Sequence, residues 1–351
     1  MAKTRLFELP QTKGEFQIRG KVQGVEKENF YKEIKTKNGN DFRVVNFGVT
    51  YEDKATVYIN LNGMPRDKVH FSKRNPETKK VDTKAVDWTD RNKFNEDGYN
   101  LIGISCGLQQ TRNEKGKIDN VIKTLVEYDA CEYLNAYLED DLDVYIRGSI
   151  EFNSFTNKNG DVNCRVNYKP GKIYACKQPI DFGADGYEPQ HDFKQTIVFK
   201  EITQEMENDK PTGRFIVSAW IVNYASIEST DFIIEDKSLA NLFKKNLKSN
   251  VAITVWGELI SRTVVEEVST EDCWGKKSNM DRVNNPTVRE MIITGADPSS
   301  IDKETYSAKA MDAAFDAIRK SQNAEENFEA KSNDDDWGSS DGFGADEDTP
   351  W

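Results

Sequence analysis

The stretch LDVYIRGSIEF, residues 142–152, decides the fold. Val144, Ile146 and Ile150 keep one phase of a two-residue alternation, and Tyr145 and Arg147 keep the other, which is the pattern of a half-buried β-strand. Before it, VEYDACEYLNAYLEDD (126–141) changes period. Ala130, Tyr133, Leu134, Tyr137 and Leu138 fall at helical spacing. The same helix and strand return 109 residues later as KSLANLFKKNLKSN (237–250), with Leu239, Leu242, Phe243 and Leu247 on one face, and VAITVWGELISR (251–262). At that offset Leu134 matches Phe243, Leu138 matches Leu247, Ile146 matches Val255 and Ile150 matches Leu259. Gly148 matches Gly257, and a glycine inside a strand marks a bend or bulge.

Working outward, both halves have the same element order. FQIRGKVQGV (16–25), DFRVVNFGVT (41–50) and KATVYINLNG (54–63) read as strands ahead of the first helix. FKQTIVFKEIT (193–203), RFIVSAWIVNY (214–224) and DFIIE (231–235) precede the second. TKNGND (36–41) and TNKNGD (156–161) carry the Asn-Gly pair of tight hairpins, and NDKPTG (208–213) reads as a turn. VNCRVNYKPGKIYACK (162–177) and TVREMIITG (287–295) supply a last strand in each half.

Three strands, a helix and two strands is the order of an OB-fold, a five-stranded Greek-key barrel. The fold expected is therefore mainly β: two OB-fold-like barrels, a long insertion in the first, a C-terminal helix and a disordered acidic tail. The expected boundaries are an arm at 1–14, the first barrel at 15–178 with its insertion at about 62–125, a linker at 179–191 and the second barrel at 192–296. A helix at 297–320, capped by Asp302 with a stripe of Met311, Phe315 and Ile318, and a tail at 321–351 complete the chain.

The 351 residues carry a net charge of −12, unevenly spread. Residues 1–125 hold 24 Lys/Arg against 17 Asp/Glu, and residues 321–351 hold 1 against 10. This asymmetry points to a basic working surface and an acidic tail. No apolar run is long enough for a membrane span, and the N-terminal residues lack the apolar core of a signal peptide. Five scattered cysteines without a C-x-x-C fit a reducing cytosol.

An active site is not expected. His70 and His191 are the only histidines, too few and too far apart for a His-based zinc site, and no phosphate-binding G-x-x-x-x-G-K-[ST] is present. No cofactor and no metal are expected. A two-metal nuclease built from scattered carboxylates stays open as an alternative, as does a barrel protein that binds only proteins.

The insertion mixes cations with rings. Arg66, Lys68, Lys73, Arg74, Arg91 and Lys93 are interleaved with Phe71, Trp88, Phe94 and Tyr99. Single-stranded nucleic acid asks for this mixture, because cations neutralise phosphates and release counterions while rings stack on bases. Phe30, Tyr31, Lys35, Lys37 and Arg43 flank the first hairpin. Tyr58 lies opposite the apolar phase of its strand, as do Tyr145 and Arg147. These sixteen residues, rings Phe94 and Tyr99 aside, are the candidate DNA contacts. Trp220, Trp256 and Trp274 of the acidic second half read as core or protein contacts.

The C-terminal sequence NDDDWGSSDGFGADEDTPW (333–351) resembles the acidic tip of single-stranded DNA-binding proteins, in which carboxylates precede a proline and a terminal aromatic. The matching residues are Asp346, Glu347, Asp348, Pro350 and Trp351. The chain departs from the bacterial pattern in ending on Trp and in having two barrels, which points to a phage type. The resemblance implies sequence-independent binding and protection of single-stranded DNA in replication, recombination and repair. It further implies recruitment of replication proteins such as DNA polymerase and helicase/primase through the tip.

Overall fold

The computed structural model describes residues 5–36, 38–52, 55–114, 116–156, 162–263 and 287–332. Its strands obey the alternation of the sequence. β1 (Gly14–Gln23) buries Phe16, Ile18 and Val22, and β2 (Tyr31–Lys35) is a short edge strand. β3 (Asp41–Glu52) buries Val45, Phe47 and Val49, and β4 (Ala55–Gly63) buries Val57, Ile59 and Leu61. The insertion is not a loop. It forms β5 (Lys68–Arg74), β6 (Val81–Asp87) and β7 (Asn100–Leu101), then β8 (Ile104–Gly107), β9 (Gln110–Arg112), β10 (Ile118–Asn120) and β11 (Lys123–Leu125). β6-β5-β7 make a separate three-stranded sheet, while β8 and β11 extend the main sheet.

α1 (Glu127–Tyr137) buries Ala130, Cys131, Tyr133 and Leu134. Tyr137, expected on the buried stripe, is exposed and packs its ring on Tyr133 at 4.7 Å. β12 (Asp143–Thr156) and β13 (Val162–Ala175) follow. The second series is β14 (Gln190–Glu207), β15 (Lys210–Val222), β16 (Ile227–Ile234), α2 (Lys237–Asn246), β17 (Val251–Thr263) and β18 (Thr287–Asp302). Asn208 and Asp209 take φ of 49° and 61° between β14 and β15, the left-handed pair that a two-residue hairpin needs. In α2, Phe243 is buried but Leu242 is exposed, so the stripe is narrower than the sequence implied.

α3 (Ala308–Ser332) starts later than expected, because residues 297–302 complete β18. Asp302 is not its cap. Its carboxylate accepts from the N–H groups of Glu304 and Thr305 at 2.9 and 3.0 Å, which turns the chain ahead of the helix. Met311 and Phe315 do pack as a stripe, against Trp220 and Leu9. No described helix is long and apolar enough to cross a membrane.

Pairing joins the strands into one 13-stranded sheet. In the second series β14 pairs with β15, β15 with β16, β16 with β18, β18 with β17 and β17 with β14, a five-strand ring. The β16–β18 contact is one parallel pair, Ile233 with Ile292, so the ring is not a closed barrel. The expectation of two separate closed barrels is corrected here. Over Gly14–Arg19, β1 takes β14 as a neighbour and leaves β3 only Lys21–Gln23. An edge that would seal a front barrel is spent on joining the two series. β12 and β13 complete the front set beside β1, and a single parallel pair, Tyr168 with Ile59, links β13 to β4.

The glycines matched at the 109-residue offset have the same job. The β12–β13 register shifts at Arg147/Gly148 and the β17–β18 register shifts at Trp256/Gly257. A Cβ on Gly148 would lie 2.0 Å from the Lys169 carbonyl oxygen, and one on Gly257 would lie 1.8 Å from that of Ile292. Only glycine permits backbone this close to the next strand. One apolar core runs through both series. At the seam Tyr51 stacks on buried His191 at 4.2 Å, and both rings reach the Leu259 carbonyl.

Candidate nucleic-acid interface

The outward phase of β3 and β4 carries Asn46, Tyr58 and Asn60, since Val45, Phe47, Val57, Ile59 and Leu61 take the inward phase. Cross-strand pairing places Asn46 opposite Asn60, and their amides hydrogen-bond. These residues form the floor of a cleft of about 700 Å³. Phe155, Arg165 and Tyr168 from the β12–β13 pair line one wall, and Ser261, Arg289 and Glu290 from β17 and β18 line the other. Phe155 is half exposed. The Arg289 guanidinium lies over the Tyr58 ring at 5.4 Å.

Charge in the cleft is positive on balance. Glu290 is engaged by Arg214 at 2.6 Å, which leaves Asp231 to offset Arg165 and Arg289. Burial pushes the Tyr168 phenol up, against the opposing pull of Arg289, and pushes the Cys164 thiol up to about 11. Both groups are neutral near pH 7 and add no negative charge. Rings, amides and guanidinium groups around one opening can stack bases, bond their edges and hold phosphates.

Of the sixteen expected contacts the structure brings Tyr58 to this cleft. Phe30 and Phe71 are corrected outright: both are buried, Phe30 in the main core and Phe71 in a small core with Val69 and Val126. Trp88 packs on that small core, as do Phe94 and Tyr99, so the rings of the insertion turn inward. Tyr31 is half-buried against the main core. Arg43 stacks on Tyr128 at 3.9 Å and pairs with Glu33 and Glu132. Arg91 stacks on Trp88 at 4.2 Å and grips Asp129 through two nitrogens at 2.7 and 3.0 Å. That hydrogen bonding raises the Arg91 pKa further and fastens the small sheet to α1. Lys35 pairs with Asp41 and Lys93 with Asp90. Tyr145 and Arg147 lie away from the cleft, bonded to Gln17 and Glu15. Lys73 donates to the Asp97 carbonyl. Arg66, Lys68 and Arg74 are exposed without a carboxylate partner among the described residues. Lys37, Asp346, Glu347, Asp348, Pro350 and Trp351 lie outside the described residues, as does Trp274.

Sequence reasoning missed Asn46, Asn60, Phe155, Arg165 and Arg289. Asn46 and Asn60 share the phase that selected Tyr58, so alternation alone could have found them. Arg289 comes from the far end of the chain, and nothing local places it over Tyr58. Among the described residues no group of three or more His, Cys, Asp or Glu is placed to hold a metal ion.

Fold and cleft together define a mainly β protein whose ring-and-sheet face opens into a polar, aromatic-lined groove. A family model described as YorF matches residues 73–331, well over half of the chain, and the chain belongs to that family. No curated protein sequence matches it. Among solved structures it is similar to the single-stranded DNA binding protein from Thermus aquaticus. The wild-type form gives a TM-score of 0.38 at 9% identity, covering 82% of this chain and 93% of that one. A deletion mutant gives 0.37 at 10% identity, covering 82% and 94%. Likenesses this low carry no function from one chain to the other.

Proposed function

We propose that this protein binds single-stranded DNA, without sequence preference, in the cleft above β3 and β4. The observation that carries the reading is the convergence of Tyr58, Phe155, Arg165 and Arg289 on one opening of about 700 Å³. Every base offers a face for stacking, and every linkage offers a phosphate, so the arrangement needs no particular sequence. On this reading the front and back strand sets act as two OB-like units, and the protein coats and protects single strands in replication, recombination and repair, in a phage setting. The acidic residues Asp346, Glu347 and Asp348 recruit basic surfaces of replication proteins such as DNA polymerase and helicase/primase.

The test is a fluorescence titration with oligo-dT at two salt concentrations. Binding should weaken as salt rises, and Arg165→Glu should weaken it further. Equal affinity for oligo-dT in wild type and in the Arg165→Glu, Arg289→Glu double variant would dispose of the cleft. Removing residues 342–351 should leave oligo-dT affinity intact and abolish capture of the polymerase or helicase partner.

A further inference from the structure

The small sheet carries charge that the cleft does not use. β5 exposes Lys68, His70 and Arg74 on the face opposite buried Val69 and Phe71. Residues 73–80 are all exposed, yet the turn they make is tightly held. The Asn75 side-chain oxygen accepts from the N–H groups of Glu77 and Thr78 at 2.9 and 3.0 Å. The Lys79 N–H donates to the Asn75 carbonyl at 3.0 Å, and the Asn75 N–H to that of Lys80 at 2.9 Å. Arg66, Lys68, Arg74, Lys79 and Lys80 have no carboxylate partner among the described residues, and Glu77 is the turn's one acid. By contrast, Lys84, Arg91 and Lys93 elsewhere in the insertion are all paired.

Lys79 has a φ of 59°. That left-handed conformation is natural to glycine or asparagine and strained for a lysine. A lysine kept where glycine would fold more easily marks a side chain that is used, and an observed strain of this kind is a pointer to function. The cleft takes none of its lining from this hairpin.

We propose that the β5–β6 hairpin is a second nucleic-acid site, which grips the phosphate backbone of duplex DNA. Its rings are sealed in the small core beneath it, so it has nothing to stack on unpaired bases. Cations alone read phosphates, and phosphate contacts do not require the strands to be separated. Duplex DNA is the stronger partner for such a surface, since its two backbones present charge more densely than one. The rigid turn holds the cations ready and limits the entropy lost on binding. Together with the proposed cleft, on which this part rests, the hairpin lets one molecule hold the point where duplex passes into single strand.

The test uses the full chain and three labelled probes: oligo-dT, a short blunt duplex, and the same duplex with a dT overhang. The variant is Arg74→Gln, Lys79→Gly, Lys80→Gln. It should melt no lower than wild type, because glycine relieves the strain at position 79. Wild type should bind the overhang probe more tightly than either simple probe. In the variant the salt dependence of duplex binding should flatten by about 0.9 log units per cation lost, with the overhang advantage gone and oligo-dT affinity kept. Unchanged duplex binding overturns the proposal, as does an equal loss on oligo-dT, which would make the hairpin part of the single-strand site. Tyr58→Ala separates the two ideas. If oligo-dT binding survives that change while the hairpin variant loses duplex, the cleft reading fails and the hairpin stands.

Discussion

Tyr58 is the residue on which sequence and structure agree most closely. Alternation alone places it on the open face of β4, and the structure sets it beneath Arg289 in the cleft. Stacking of a base on such a ring is worth about 1–3 kcal/mol. Tyr58→Ala and Phe155→Ala should each weaken oligo-dT binding by that amount, with no change in fold by circular dichroism. An unchanged affinity in both would remove stacking from the account. The cations were far less legible, because composition cannot say which charges are already answered. Arg43, Arg91 and Arg147 looked available and are each held by a carboxylate of the same molecule. The thiols give a pH-dependent prediction. Burial raises Cys106 and Cys131 from 9.0 to about 12. The unfolded chain loses these protons near pH 9 and the folded chain does not, so unfolding is favoured as pH rises through that interval and stability falls. The Tm should drop between about pH 9 and pH 11, and Cys106→Ala should reduce the slope of that drop. A Tm slope that Cys106→Ala leaves untouched would show that other groups set the alkaline limit.

At the level of elements, the helix–strand unit was readable because two physical demands coincide in it. The helix must bury a stripe on the sheet, and the strand must pass a neighbouring carbonyl at Gly148 or Gly257. Alanine at either position should destabilise by more than about 3 kcal/mol, in the range expected when backbone must shift to admit an atom. A thermal melt of Gly257→Ala within a degree or two of wild type would show that the bulge is slack. The insertion was misread for the opposite reason. Its cations and rings arrive in short strands of two to seven residues, too short for a period to emerge, so burial of Phe71 could not be seen ahead of the pairing of β5 with β6. The small sheet is anchored to α1 by Arg91 and Asp129, whose side chains are mostly buried. Phe71→Ala should cost about 3 kcal/mol and should loosen this sheet before the main one. Hydrogen exchange would report that as faster exchange in β5–β7 than in β3 and β4.

Across the whole molecule, the duplication of the sequence hides a fusion. A repeated element order argues for two independent units, yet strand pairing and core packing ignore the boundary. β1 lies between β12 and β14, and Phe16 faces Phe193 across that seam. Nothing in either half of the sequence announces the β1–β14 pair, because a strand's alternation says which face is buried and not which edge is taken. The seam is also polar and specific. Tyr51, from β3, donates its hydroxyl to the Leu259 carbonyl at 3.1 Å and accepts from the Ser261 N–H at 3.3 Å, while its own carbonyl accepts from Tyr187 at 2.7 Å. A continuous core with such ties should melt as one cooperative body. Calorimetry should therefore show a single transition with equal calorimetric and van't Hoff enthalpies, despite the internal repeat. Tyr51→Phe leaves a buried carbonyl and a buried N–H without that partner and should cost about 1–3 kcal/mol. Because both strand sets depend on the seam, the whole transition should shift down in temperature and stay single. Two resolved transitions, or a shift confined to one of them, would show that the halves fold apart and that the seam is a contact between neighbours.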